Sequence, residues 1–219
     1  MADLTVNKIL SETFNAFKIQ GVRAYMWTAA LIIAGMISDL APIDYSMPLI
    51  MGFTIISLFA QSDIIRTDLA NAHLLPAELR AKPKIGPLFF VGVLYSLGVI
   101  FGAILLVLPG IFIAVRWWLA SPTLYAEDVH ATEAIGRSWD ITKEHLQPIL
   151  AAVIVLALPF FAALAGYLYA TDDYGNIGLL HSIPINIITS FATVALWLSS
   201  STTYSLIKGD AKRLNQISE

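Results

Sequence analysis

The chain has 219 residues, of which 57% are hydrophobic and 13% charged, well below the ~25% charge of an ordinary soluble domain. Its formal net charge of −3 offers no positive field to a nucleic acid, so none is expected as a partner. The absence of cysteine excludes disulfides, thiol nucleophiles and iron–sulfur ligation.

The fold class expected is all-α: a single membrane domain over 1–219, a polytopic bundle of six transmembrane helices with two amphipathic interfacial helices. Residues 3–20 form the first interfacial helix, too mixed and polar for a secretory signal. Val6, Ile9, Leu10, Phe14 and Phe17 share one face there, and Lys8, Glu12 and Asn15 oppose them. Spans follow at 22–40 and 46–64. The stretch 85–126 carries a single charge, Arg116, over about two bilayer cores of ~20 residues each, so it reads as a hairpin. The reversal is expected at Pro109-Gly110, between spans 87–108 and 110–126. A second interfacial helix is expected over 131–146, with Ala131, Ala134, Ile135, Trp139, Ile141 and Leu146 facing away from Glu133, Arg137, Asp140, Lys143 and Glu144. Spans 148–170 and 180–206 complete the set. Each interfacial helix precedes a hairpin, which hints at a parallel repeat as readily as at two similar linkers.

Basic residues test the count independently. Lys8, Lys18, Arg23, Arg66, Arg80, Lys82, Lys84, Arg137, Lys143, Lys208, Lys212 and Arg213 all fall on one side of a six-span chain. The three opposite loops carry no Lys or Arg but do carry Asp39, Asp44, Asp172 and Asp173. Because Lys and Arg stay cytoplasmic, both termini are expected in the cytoplasm, with the chain in a bacterial inner membrane.

Chemistry-bearing motifs are scarce. There is no nucleophile elbow, zincin helix, Walker A loop or dinucleotide glycine pattern, and His73, His130, His145 and His181 lie far apart in sequence. No catalytic residue, metal or cofactor is expected. Arg116 is costly at bilayer depth and needs company. Counting helical rise from Pro109 puts it level with Asn186, Thr189 and Ser190, with Asp39 as the candidate counter-ion. That set reads as an anionic-ligand or lipid-headgroup site; the plainer reading, of a structural arginine that snorkels or caps carbonyls, is the favoured one. The last span also carries Thr193 and a hydroxyl run from Ser199 to Thr203, which either lines a passage or bonds back to its own helix. Pro159 and Pro184 are expected to kink their spans. Gly98 and Gly102 form a small-xxx-small pair that lets another helix, of this chain or of a partner or second copy, come close.

The stretch LLVLPGIFIAVRWWLASPTLYAEDVHATEAIGRSWDITKEH, residues 105–145, resembles the glycerophosphoryl diester phosphodiesterase membrane-domain family and related bacterial inner-membrane proteins. The matching features are Leu-Pro-Gly closing one helix, a central arginine in the next, an acidic exit at Glu127, and Ala-x-x-Arg-Ser-Trp at 134–139. The resemblance implies a six-helix domain linked to lipid or envelope homeostasis, with catalysis confined to separate soluble domains that this chain does not carry. It also implies that Glu127, Arg137, Ser138 and Trp139 dock the second interfacial helix. The leading expectation is thus a non-enzymatic membrane protein that binds lipid or supports membrane homeostasis. The alternative is a permease-like transport subunit whose coupling helix is 131–146, although the usual Glu-Ala-Ala-x-x-x-Gly spacing begun at Glu133 meets Trp139 where it needs glycine.

Overall fold

A computed structural model describes residues 4–80, 82–170 and 178–218. Among them the chain is all helical, with no strand. Residue 3, the acidic pair Asp172 and Asp173, and the side chains of Lys212 and Arg213 lie outside the described residues.

Helix α1 (Val6–Gln20) starts where the Thr5 side chain accepts the Lys8 N–H, and it stops at Gly21. Gly21 has φ of +48°, a conformation that a side chain would strain, and there the chain turns by 94° into α2 (Val22–Leu40). The buried side of α1 is Ile9, Thr13, Ala16 and Gln20, whereas Phe14 is 57% exposed. The expected apolar face is therefore split, because Thr13 and Gln20 find hydrogen-bond partners inside the bundle and Phe14 turns outward.

Helix α3 (Ser46–Asn71) runs two turns past residue 64, carrying Asp63, Arg66 and Asp68 on the helix itself. Hydropathy ends at the first charge; the backbone does not. Next come α4 (Ile85–Leu105), α5 (Val107–Arg116), α6 (Ala120–Ala126) and α7 (Ala131–Ile141). A 310 turn over Thr142–His145 joins α7 to α8 (Leu146–Ala170), and α9 (Leu179–Ser218) closes the bundle. Both α8 and α9 continue as helix through Pro159 and Pro184.

The reversal of the central hairpin falls at Leu106 (φ −166°, ψ 147°), not at Pro109-Gly110. Pro109 sits in the first turn of α5, where a missing N–H costs nothing because that donor has no helical acceptor. Gly110 serves packing instead: a Cβ on Gly102 would lie 2.8 Å from the Gly110 Cα, so the two helices touch backbone to backbone. Gly98 faces the Trp117 ring in the same way. The close approach expected of the Gly98–Gly102 pair is thus made by the chain's own next helix. The expected span 110–126 is two helices, α5 and α6, broken at Trp117–Leu119.

Among the described residues, five helical stretches are long and apolar enough to cross a membrane: Met47–Asn71, Ile85–Leu105, Val107–Ala126, Ala131–Ala170 and Leu179–Gly209. The bent pair α1 and α2 makes a sixth if counted as one span. The two halves are unlike at their entrances, since α1 meets α2 at 94° while α7 runs on into α8 as a single 40-residue stretch.

The packed core lies towards one end of the bundle. Ile9, Ile65, Leu69, Leu88, Val115, Leu119, Leu124 and Tyr125 interlock there, and the Tyr125 hydroxyl donates to the Ser62 hydroxyl at 2.8 Å. The described basic groups gather at this end: Arg23, Arg66 and Arg80 around one hollow, Lys84 on Asp128, and Arg137 with Lys208 on Glu127. Asp39 marks the far end of α2, about 24 Å from Arg23 at helical rise. Away from the core the rods bare aliphatic side chains, and Ile104 to Leu108 at the hairpin tip are each 68–77% exposed. Such a surface is stable against hydrocarbon and unstable against water.

Candidate functional site

The break between α5 and α6 releases several backbone groups, and all but one of those described below are answered by a named side chain. The Trp118 N–H bonds to Val115 O at 3.3 Å rather than to Ala114 O. Ala114 O is taken instead by the Tyr95 hydroxyl on α4, at 3.2 Å. Ser138, on the buried face of α7, bridges the rest: its Oγ accepts the Leu119 N–H (3.1 Å) and donates to Arg116 O (2.9 Å). The Thr142 hydroxyl donates to the same Arg116 oxygen at 3.2 Å. Leu119, Ser138 and Thr142 are each 0% exposed, so no water substitutes for these bonds.

The Arg116 side chain is 5% exposed and lies against this break. Its guanidinium sits 4.4 Å from the Trp139 ring centre and 5.7 Å from that of Phe112, and the two rings meet edge to face. Attraction to the negative faces of the rings compensates part of the lost hydration. Asp140 is the carboxylate whose charge acts on it, and its Nε has no hydrogen-bond partner.

The expected pairing of Arg116 with Asp39 is therefore wrong. Asp39 Oδ2 instead accepts from the Ser182 hydroxyl at 2.8 Å and from Asn186 Nδ2 at 2.7 Å, clasping α2 to α9 at the opposite end. Gly35 makes this possible, because a Cβ there would run into the Asn186 amide. Thr189 donates to its own helix at Ile185 O (2.9 Å), and Ser190 is buried. The structure instead unites two groups that the sequence kept apart, Arg116 and the Ser138–Trp139 pair, because α7 folds back on α6 and reaches the break.

At the mouth of that fold, Asp128 adopts a left-handed turn (φ 52°) and pairs with Lys84. Glu127 accepts the Tyr204 hydroxyl at 2.9 Å, Lys208 Nζ at 3.1 Å, and an ion pair from Arg137, which also holds Glu133 at 2.6 Å. Burial pushes the Glu127 carboxyl up, but the hydrogen bonds from Arg137, Lys208 and Tyr204 outweigh it and hold it below the usual carboxylate range. Glu127, Arg137, Ser138 and Trp139 thus fasten α7 in this structure.

The hydroxyl run on α9 mostly bonds back: Thr193 to Thr189 O, Ser200 to Trp197 O, Ser201 and Thr202 to Leu198 O. Among the described residues no cluster of three or more His, Cys, Asp or Glu is placed to hold a metal ion.

Two hollows went unread in the sequence. A cleft of about 620 Å³ lies between α1, α2, α8 and α9, walled by Leu10, Phe14, Phe17, Tyr25, Leu156 and Phe191, with Lys18 as the one charged residue among the described lining. Its floor includes Pro159, Ala192 and Ala195, and Phe17, Tyr25 and Phe191 stack into one wall with ring centres 5.2–6.4 Å apart. The second hollow, about 510 Å³, is polar and lined by Arg23, Arg66, Arg80, Asp63 and Thr67. Here Arg23 bonds Thr67 (2.6 Å) and Trp27 bonds Asp63 (2.8 Å). The i, i+4 spacings of Arg23–Trp27 and Asp63–Thr67 were the available signal.

The fold defines the class as an all-helical bundle whose apolar rods suit a membrane. No family model, curated protein or solved structure matches the chain.

Proposed function

We propose that this chain is a non-enzymatic protein of the bacterial inner membrane that holds a membrane lipid and so serves membrane homeostasis. It crosses the bilayer six times with both termini in the cytoplasm. The observation that carries this reading is the cleft between α1, α8 and α9. Its volume of about 620 Å³ falls within the ~300–1,000 Å³ of small-molecule sites, and its walls are aromatic and aliphatic. Phe14 (57% exposed), Tyr25 (55%) and Phe191 (40%) leave it open at the side, towards the acyl phase. Lys18 stands at the rim, where α1 turns away from α2 at 94°, and offers an ammonium to an anionic headgroup. The family resemblance of residues 105–145 and the one-sided basic residues support the same reading. The permease alternative has less to rest on, because most of the α9 hydroxyls that would line a passage bond their own helix.

The test is lipid analysis by native mass spectrometry of gently purified protein. Wild type is expected to retain an anionic lipid, Ala195→Phe to exclude it by filling the cleft, and Lys18→Glu to weaken it. Equal retention by Ala195→Phe and wild type would overturn the assignment. A nucleotide-binding subunit co-purifying in place of lipid would put the permease reading ahead. Reporters fused after Glu219 should be active only in the cytoplasm; a periplasmic signal would refute the topology.

A further inference from the structure

At the end of the bundle where arginines and lysines gather, one pocket departs from the pattern. It has a volume of about 240 Å³, lies between α1, α3 and α9, and its polar lining is Glu12, Asn15, Asp68, Asn71, Thr202 and Ser205. Among the described residues no Lys or Arg lines it. Asp68 is 7% exposed, and its Oδ2 has no hydrogen-bond partner. Ser205 Oγ, also in the lining, is buried and unpartnered as well.

A third orphan oxygen lies outside that lining, on the same α1–α3 contact. Gln20 on α1 is 7% exposed and donates its amide nitrogen to Ile64 O at 3.0 Å, one helical turn before Asp68 on α3. The Gln20 Oε1 is left without a donor. Thr13 and Thr202, hydroxyl to hydroxyl at 3.3 Å, join α1 to α9 next to the pocket. Of the six buried side-chain polar atoms without a partner among the described residues, two therefore belong to residues that line this pocket, Asp68 and Ser205, and both are oxygens.

Buried oxygens without donors are unstable unless something positive sits among them, and a carboxylate oxygen most of all. The donor set limits what that is. Hydroxyl, amide and carboxylate oxygens are hard ligands that suit alkali and alkaline-earth ions rather than zinc or copper. Among the described residues two carboxylates, Glu12 and Asp68, face the space, fewer than a calcium cage normally assembles. We propose that Asp68 is the anionic ligand of a monovalent-cation site of the sodium class, completed by Glu12 and Ser205, which ties α1 to α3 and α9. This site is separate from the lipid cleft on the other face of α1, and neither assignment depends on the other.

The experiment compares the thermal midpoint of the full chain, in detergent, in sodium chloride and in N-methylglucamine chloride at constant ionic strength, with equilibrium dialysis of radioactive sodium alongside. Wild type should gain stability saturably with sodium, because an ion that binds only the folded state raises its midpoint with concentration. Asp68→Asn should lose both the bound sodium and the dependence, while folding as well as wild type does in glucamine. Ser205→Ala, which removes a single neutral ligand from an otherwise unaltered helix, should raise the half-saturating sodium concentration several-fold; it decides the matter if Asp68→Asn fails to fold. No sodium dependence in wild type, an unchanged half-saturation in Ser205→Ala, or stabilisation by acid alone would overturn the proposal, the last by showing that a proton satisfies Asp68.

Discussion

Ser138 and Thr142 share one acceptor, and that sharing predicts a coupling of definite sign. Ser138→Ala strands the Leu119 N–H in a site with no water, while Arg116 O keeps its bond from Thr142. An orphaned buried donor costs ~1–3 kcal/mol. Thr142→Val preserves shape, leaves Arg116 O bonded to Ser138, and otherwise removes only contacts to the Ser138 and Trp139 carbonyls of its own helix. Its cost should be at most ~1 kcal/mol. Only the double variant strands Arg116 O too, adding a further ~1–3 kcal/mol that neither single variant incurs. The double variant should therefore exceed the sum of the singles by about 1 kcal/mol or more, against the ~0.3–0.5 kcal/mol within which independent sites add. In a chain of this length 1 kcal/mol moves the midpoint by about 2–4 °C. Thermal unfolding in detergent, followed by tryptophan fluorescence because Trp117 and Trp139 flank the break, measures it. Additive effects would refute the argument that these hydroxyls back each other up at a helix break.

Gly110→Ala would set a Cβ 2.8 Å from the Ala103 N and 3.0 Å from its Cα, and because backbone cannot swing aside the hairpin must open. A loss of ~1–3 kcal/mol is expected, whereas Gly52→Ala, with nothing within 4 Å of its Cβ, should be neutral or slightly stabilising in the same melt. Glu127, held below the usual carboxylate range, stabilises the fold above its unfolded pKa and ceases to do so as pH falls through its lowered folded value. The stability gap between wild type and Glu127→Gln should be constant at neutral pH and close in acid; a gap that widens in acid would contradict the assignment. Arg116→Met should keep the fold and retain lipid, since a buried arginine held by two rings is replaceable by an apolar chain of similar length. Loss of lipid from this variant by native mass spectrometry would return Arg116 to the ligand site.

Much of the architecture was legible because apolar length and charge spacing respond to the same constraint that shapes the bundle. The helix starts at 22, 46 and 131 agree with the sequence reading. Illegible were features set by tertiary answers to local defects. Pro109-Gly110 suggests a turn by composition, yet proline is harmless in a first helical turn and Gly110 is needed for contact, so Leu106 bends instead. Depth counting along 110–126 presumed one unbroken helix, and the break at Trp117–Leu119 voided it. The expected span stopped at residue 64, so Arg66 and Asp68 on the continuing helix passed for loop residues.

The same reasoning explains why charge gathers where it does. Apolar rods in hydrocarbon gain nothing from burying apolar surface against one another, so close backbone contact and polar bonds must hold them. This chain uses glycines at the far half, Gly35 under Asn186 and Gly102 on Gly110, and it keeps its interlocked aliphatic core for the basic half. A core driven by water exclusion is useful only where water reaches, so that half should lie at or beyond the headgroups. Arg23, Lys84, Arg137 and Lys208 are then not merely markers of sidedness: each pairs with an acidic group on a neighbouring element, turning the positive end into the part of the molecule that fixes how the rods emerge.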